Sequence, residues 1–280
     1  MMTKIWKRNW KLAALVVLFA CAPGFARADD KAEAYKAGKE GIEAAKNKQW
    51  DKAIELFQKA AKLDPKDVNN YNNLGLAEKN AGKLDDALKA FSEGISMQEN
   101  AIGYQNRGVI EISQNKFPDA IKDLDRALKL NPDNITSHRF RAFAHLQNKD
   151  YAKAVEDYNK VLSQKENDPE ILDRRAFAYW NLKQYDKAIA DYNKLIQAKP
   201  GDKAAYLDRS YVYELKGDTA KGIADCDKVL SLDPNNAEAR ARKARLEYQQ
   251  NKKAPTPTPT ARPRRTMPPE PEATPTPKKR

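Results

Sequence analysis

The chain has 280 residues, with 51 Lys+Arg against 39 Asp+Glu, two Cys, two His and 11 Gly. A mean hydropathy of −0.84 excludes a multispanning membrane protein. Two cysteines exclude a disulfide framework or a four-thiolate zinc site, and so few glycines leave little room for Gly-rich phosphate loops. The formal charge of +12 sits at the ends: residues 1–28 carry +5, residues 251–280 carry +6, and the body keeps +1. A nearly neutral body holds no polyanion, so no nucleic-acid partner is expected despite a pI of 9.4.

Residues 1–28 predict a secretory signal peptide. Lys4, Lys7, Arg8 and Lys11 form a cationic start, Leu12–Ala22 an apolar run too short to span a bilayer, and Ala26-Arg27-Ala28 a small-x-small cleavage site. The mature chain is expected to start at Asp29 and to be exported, periplasmic or secreted. The rival reading takes Leu18-Phe19-Ala20-Cys21 as a lipobox, which would make the protein a lipid-anchored accessory of an envelope-assembly complex; bulky Phe19 fits it poorly.

A repeat follows. Small residues stand at Ala53, Ala87, Ala120, Ala154, Ala188 and Gly222, with spacings of 34, 33, 34, 34 and 34. Twelve positions earlier lie Gly41, Gly75, Gly108, Ala142, Ala176 and Ser210; four positions later lie Phe57, Phe91, Leu124, Tyr158, Tyr192 and Cys226. This cadence resembles the tetratricopeptide repeat family. The resemblance implies an all-α fold, a right-handed superhelical solenoid of six helix-turn-helix units at 34–67, 68–100, 101–134, 135–168, 169–202 and 203–236. A capping helix is expected at 237–251.

Within each unit, the small residues should let helices A and B approach closely, while the Phe57-type residues fill the gap to the next unit. Asp64-Pro65, Asn131-Pro132 and Asp233-Pro234 should stop helix B. The sixth unit, with Gly222, Cys226 and Thr219 at key places, should pack more loosely. Arg107, Arg141, Arg175 and Arg209 match Asp123, Asp157, Asp191 and Asp225 one for one, which predicts an ion pair within each unit or with the preceding one.

Catalysis has little to stand on, and neither an enzyme nor a cofactor or metal site is expected. His138 and His145 lie about 10 Å apart along one helix, too far to share a metal. His138 occupies a slot that is Tyr in other units, and Cys226 sits in a core slot. The family resemblance implies instead a concave groove lined by helices A that grips a peptide segment of a partner. Carried onto this chain, it gives the row Ile42, Leu76, Val109, Phe143, Phe177 and Tyr211, with Phe140 and Trp180 nearby and Arg139, Arg174 and Asp173 as charges. Toward the N-terminus the groove is amide-rich, with Asn72, Asn73 and Asn106 suited to a peptide backbone. The chaperone-type carboxylate clamp is not implied, since Gly38 and Ile42 stand at its first positions. An aromatic row also suits a glycan- or cell-wall-binding solenoid.

Residues 252–280 hold nine of the 16 prolines and no glycine, a composition expected to stay extended and disordered. Their basic clusters would serve a spacer or a weak contact with anionic membrane or cell-wall polymer. The sequence therefore predicts an exported, non-enzymatic interaction scaffold.

Overall fold

The computed structural model describes residues 27–253; the cationic start, apolar run and lipobox within residues 1–26 and almost all of the Pro/Thr-rich tail lie outside them, while Arg27 and Ala28 of the expected cleavage site are the N-cap and first residue of the first helix. Among the described residues there are thirteen helices and no strand. They come as six A–B pairs: α1 (Ala28–Lys46) with α2 (Trp50–Leu63), α3 (Val68–Asn80) with α4 (Leu84–Met97), and α5 (Ala101–Ser113) with α6 (Phe117–Leu130). The series continues as α7 (Ile135–Gln147) with α8 (Tyr151–Gln164), α9 (Pro169–Asn181) with α10 (Tyr185–Ala198), and α11 (Lys203–Lys216) with α12 (Thr219–Leu232). α13 (Ala237–Lys253) closes the row. Helices A of the first four units also touch one another directly, which places them on the inner side of a curved stack.

Local chemistry sets each boundary. Asp67, Asn100, Asn134, Asp168 and Asp202 cap helices A by accepting backbone N–H bonds. Every A–B turn needs one residue with positive φ: Lys48, Gly82, Asn115, Lys149, Lys183 and Gly217. Only two of the six are glycine, so the others carry the crowding of a side chain in left-handed geometry. Helix B stops before Pro65, Pro132, Pro200 and Pro234, but α4 and α8 are equally long without that proline. There Gln98 and Lys165 leave helical geometry, and Asn100 and Asp168 cap the next helix.

The glycine frame works differently from the expectation. A Cβ at Gly41 would sit 2.7 Å from the Phe57 ring, and one at Gly75 would sit 2.8 Å from Phe91. The large residue thus fills the notch left by the small residue of its own unit, and also packs toward the next unit, Phe57 in one core cluster with Leu74 and Ala77 and Phe91 in another with Ile110. Close backbone approach does occur at Gly108, whose Cβ would lie 3.3 Å from the Ala120 carbonyl oxygen. The sixth unit is not loose either. Leu246 of α13 fills the space beside Gly222, where a Cβ would be 3.0 Å from it, and Cys226, Val229 and Leu246 are fully buried.

The arginines join three helices each. In units three to six, Nε and Nη2 of the arginine donate to both carboxylate oxygens of the aspartate sixteen residues on: Arg107–Asp123 (2.6 and 2.8 Å), Arg141–Asp157 (2.8 and 2.7 Å), Arg175–Asp191 (2.8 and 2.7 Å) and Arg209–Asp225 (2.9 and 2.6 Å). The remaining Nη1 reaches back to the preceding helix B, at Ser92 (3.1 Å), Asp125 (2.7 Å), Asn159 (2.7 Å) and Asn193 (2.5 Å). Lys243 of α13 continues the row by donating to Asp227 at 2.6 Å. The ion pair within each unit is therefore the one made; the preceding unit contributes a different polar residue, an aspartate only at Asp125. The planar fork suits this, since two donors match a carboxylate and the third points away.

Candidate functional site

Helices A place one residue per unit, just after the small position, on the inner face. Ile42 and Phe177 there are exposed, while Leu76, Val109, Phe143 and Tyr211 are half-buried. From the fourth unit onward these residues join an aromatic row. Tyr151 meets Phe177 edge-on at 6.3 Å, Phe177 meets Trp180 at 5.1 Å, and Trp180 meets Tyr211 at 4.8 Å. Guanidinium groups stack at both ends of the row, Arg174 over Phe143 at 4.7 Å and Arg242 over Tyr211 at 5.1 Å. Phe177 keeps 38% of its surface open, the largest exposure in this row of rings.

The charges beside the rings divide into paired and unpaired. Arg139 donates to Glu170, which Arg174 also approaches at 3.1 Å; Arg242 donates to Glu238 at 2.9 Å and Arg245 to Glu214 at 2.7 Å. Asp173 and Asp208 have no hydrogen-bond or salt-bridge partner among the described residues. Burial pushes the Asp208 carboxyl up to about 6, with the charge of Asp173 beside it adding to the shift. Asp173 is raised as well, by desolvation within the groove and by Asp202, although part of its side chain stays open to solvent.

The amide-rich half is arranged differently. Asn72 is buried and donates to Asn100 Oδ1 at 3.0 Å, which ties it to the cap of the next unit. Asn106 is buried too, donating to the Ile102 carbonyl at 3.0 Å and accepting from Lys79 at 3.3 Å. Asn73 is half-buried on the same face, and Phe140 and Arg139 lie on α7, half-buried and exposed respectively. The rings, Arg139 and Arg174 thus come together in units four to six, while the amides Asn72 and Asn106 are spent on contacts between helices. Exposed Tyr35, Ile102, Leu215 and Tyr248, and the carboxyl of Asp208, were not singled out from the sequence. Counting every helix A residue forward in steps of 34 would have found Leu215 from Asn181 and Tyr248 from Glu214.

The two histidines and the cysteine are structural. His138 lies between two acceptors, Asp157 Oδ1 at 2.7 Å from Nδ1 and the Pro132 carbonyl at 2.9 Å from Nε2. Cys226 is fully buried beside Ser210 Oγ at 3.2 Å, and burial pushes its thiol up, away from the reactive thiolate. Among the described residues, no three His, Cys, Asp or Glu side chains converge as metal ligands do, and no helix is long and apolar enough to cross a membrane.

Comparison with known proteins agrees with this architecture. Sequence profiles described as "Tetratricopeptide repeat" or "TPR repeat" match residues 44–82, 68–100, 106–169, 169–202 and 204–236. The chain belongs to the tetratricopeptide repeat family. Its fold supports a protein–protein interaction scaffold, and proteins built of these repeats are generally non-catalytic. Neutrophil cytosol factor 2 of Bos taurus is 35% identical over 98 residues, covering 35% of this chain and 18% of that protein. Small glutamine-rich tetratricopeptide repeat-containing protein 2 of Saccharomyces cerevisiae is 27% identical over 123 residues, covering 44% of this chain and 36% of the relative. The chain therefore spans well under half the length of these relatives. Among solved structures, YrrB, described as a TPR protein with an unusual peptide-binding site, aligns with TM-score 0.64 at 19% identity, over 68% of this chain and 99% of that one. PilF of Pseudomonas aeruginosa aligns with TM-score 0.58 at 18% identity, over 78% of this chain and 99% of its own. These structural likenesses bear on the fold alone.

Proposed function

We propose that this protein is an exported scaffold whose inner face, in units four to six, holds an extended segment of a partner protein. The observation that carries this reading is the row Phe143, Phe177, Trp180 and Tyr211, with Phe177 open to solvent. Exposed rings on a surface held rigid by the arginine ladder can anchor side chains at small ordering cost. Arg139 and Arg174, locked on Glu170, give the segment polar contacts at the row's edge. The peptide reading is favoured over a glycan one by ring geometry. Successive rings meet at 69–79°, so they present edges to one another and no continuous flat platform for sugars. Export rests on the sequence of residues 1–28.

Chemical crosslinking in the native envelope, followed by purification through this chain, tests the proposal. The wild type is expected to recover a partner that Phe143→Ala/Phe177→Ala loses, with both proteins showing the same helical circular dichroism. Equal recovery by both would overturn it. Intact mass of the purified chain checks the export step, with Asp29 expected as the first residue.

A further inference from the structure

The arginine ladder is absent from unit two, and a cavity stands where its side chain would lie. There the arginine position is Leu74 and the aspartate position is Ala90. Both residues are buried in the wall of a cavity of about 610 Å³ that opens between α2, α3 and α4, on the helix B side of the stack. That volume suits a small ligand or one long side chain.

The groups that receive a guanidinium in later units are still in place. Gln58 holds the slot of Ser92, Asp125, Asn159 and Asn193, each of which accepts from Nη1 of an arginine. Tyr71 holds the slot of Tyr104 and Tyr206, over which Arg107 and Arg209 stack at 5.6 and 5.5 Å. Gln58 and Tyr71 both line the cavity. The slot four residues past the arginine also reaches its head, because Tyr179 and Tyr213 there meet Arg175 and Arg209 at 5.6 and 5.9 Å. In unit two that slot is Glu78, which lines the cavity, is 5% exposed and leaves Oε2 without a partner. A buried acceptor left without a donor is destabilising, and a charged donor completes it most strongly. The other charges around Glu78 are Lys62 on α2 and Lys83, Asp86, Lys89 and Glu93 on the α4 side. Lys83 is drawn away to Asp51 at 2.8 Å and Lys89 lies 3.5 Å from Asp86.

We propose that this cavity is a binding site for an arginine side chain of a partner protein, which completes in unit two the fork that units three to six build from within. Its guanidinium stacks on Tyr71, donates to Gln58 and pairs with Glu78, while its stem covers Leu74 and Ala90. The occupant is read from the molecule itself: in four later units the matching space holds an arginine side chain carried on a polypeptide. A planar fork of donors fits an acceptor, a carboxylate and a ring face together, which a lysine ammonium does not. This second site lies on the helix B side of units one and two, apart from the aromatic row, and goes beyond the reading of that row.

The test titrates the full chain with N-acetyl-arginine methylamide and follows backbone amide signals. Saturable shifts are expected at 58–62, 71–78 and 86–93, and the capped citrulline and lysine analogues should bind about tenfold more weakly or less. Burial pushes the Glu78 carboxyl up to about 7, so binding should tighten by about tenfold between pH 6 and pH 8 as that proton leaves. Glu78→Gln should weaken binding and flatten its pH dependence. Leu74→Arg/Ala90→Asp builds the fork internally and should abolish binding while the helical circular dichroism is kept. Equal binding of the arginine and citrulline forms, undiminished binding by Glu78→Gln, or shifts confined to units three to six would overturn the proposal. So would free arginine binding more tightly than the capped form, which would make the site one for a small molecule and not for a protein side chain.

Discussion

Units one and two solve the same packing problem as units three to six by different means. The first two lock helix A to helix B by shape, with Phe57 and Phe91 seated where Gly41 and Gly75 lack a side chain. The later four add an arginine fork that grips its own helix B and the one before it. The second device repeats the same directional bond between units at every step, whereas units one and two are joined by single bonds such as Lys83 to Asp51 at 2.8 Å. At the junction of the two regions Glu78 and Glu111 each leave a buried carboxylate oxygen unpartnered, and burial pushes both groups up to about 7. In a linear array whose units contact only neighbours, opening starts where interfaces are weakest. The aromatic row therefore stands on the stiffer region, and the N-terminal units form the softer end.

The strongest way to break this contrast is Asp157→Ala. It strands the Arg141 fork and His138 together and should cost about 3–5 kcal/mol. Hydrogen exchange in α7 and α8 should then rise to the level of α1–α4, whereas unchanged protection would show that the ladder carries little. Gly75→Ala attacks the shape-based region, driving a methyl into the Phe91 ring at a cost of about 2–3 kcal/mol. Adding Phe91→Leu should recover part of that loss in the urea midpoint, because a Cβ at Gly108 would stand 3.1 Å from Leu124, a looser fit than the 2.8 Å from the Phe91 ring at Gly75.

The junction gives a pH test. Glu78 binds a proton more tightly folded than unfolded, so folding is unpenalised below its ordinary value near 4.5. The penalty then grows as pH rises, and is complete above about 7. Glu78→Gln should stabilise the chain by on the order of 2 kcal/mol at pH 8 and by almost nothing at pH 4. Denaturation curves at the two pH values check it. The smallest effect is expected at the turns: Lys183→Gly relieves a φ of 59° and should raise the melting temperature slightly, by about 0.5 kcal/mol of stability.

Much of this was legible in the sequence because the repeat is a spacing rule. Trp50, Leu84, Phe117, Tyr151, Tyr185 and Thr219, which recur with the same cadence, are the first residues of α2, α4, α6, α8, α10 and α12. The Arg–Asp match was visible as a column, but its third bond was not, since Ser92, Asp125, Asn159 and Asn193 share polarity rather than identity. The filling of Gly222 by Leu246 was hidden because it comes from outside the repeat. For the groove, periodicity named the rings. It could not separate Asn72, which bonds to the next cap, from Asn73, or show that Asp208 would be left unpaired, because those outcomes depend on neighbouring helices.

The claim that the stiff region presents the binding face is tested most directly by a photoreactive amino acid placed at Phe177, compared with the outer-face position Glu55. Illumination in the native cell is predicted to join position 177, and not 55, to one defined segment of a partner protein. Crosslinks from 55 alone, or equal and scattered products from both positions, would contradict it.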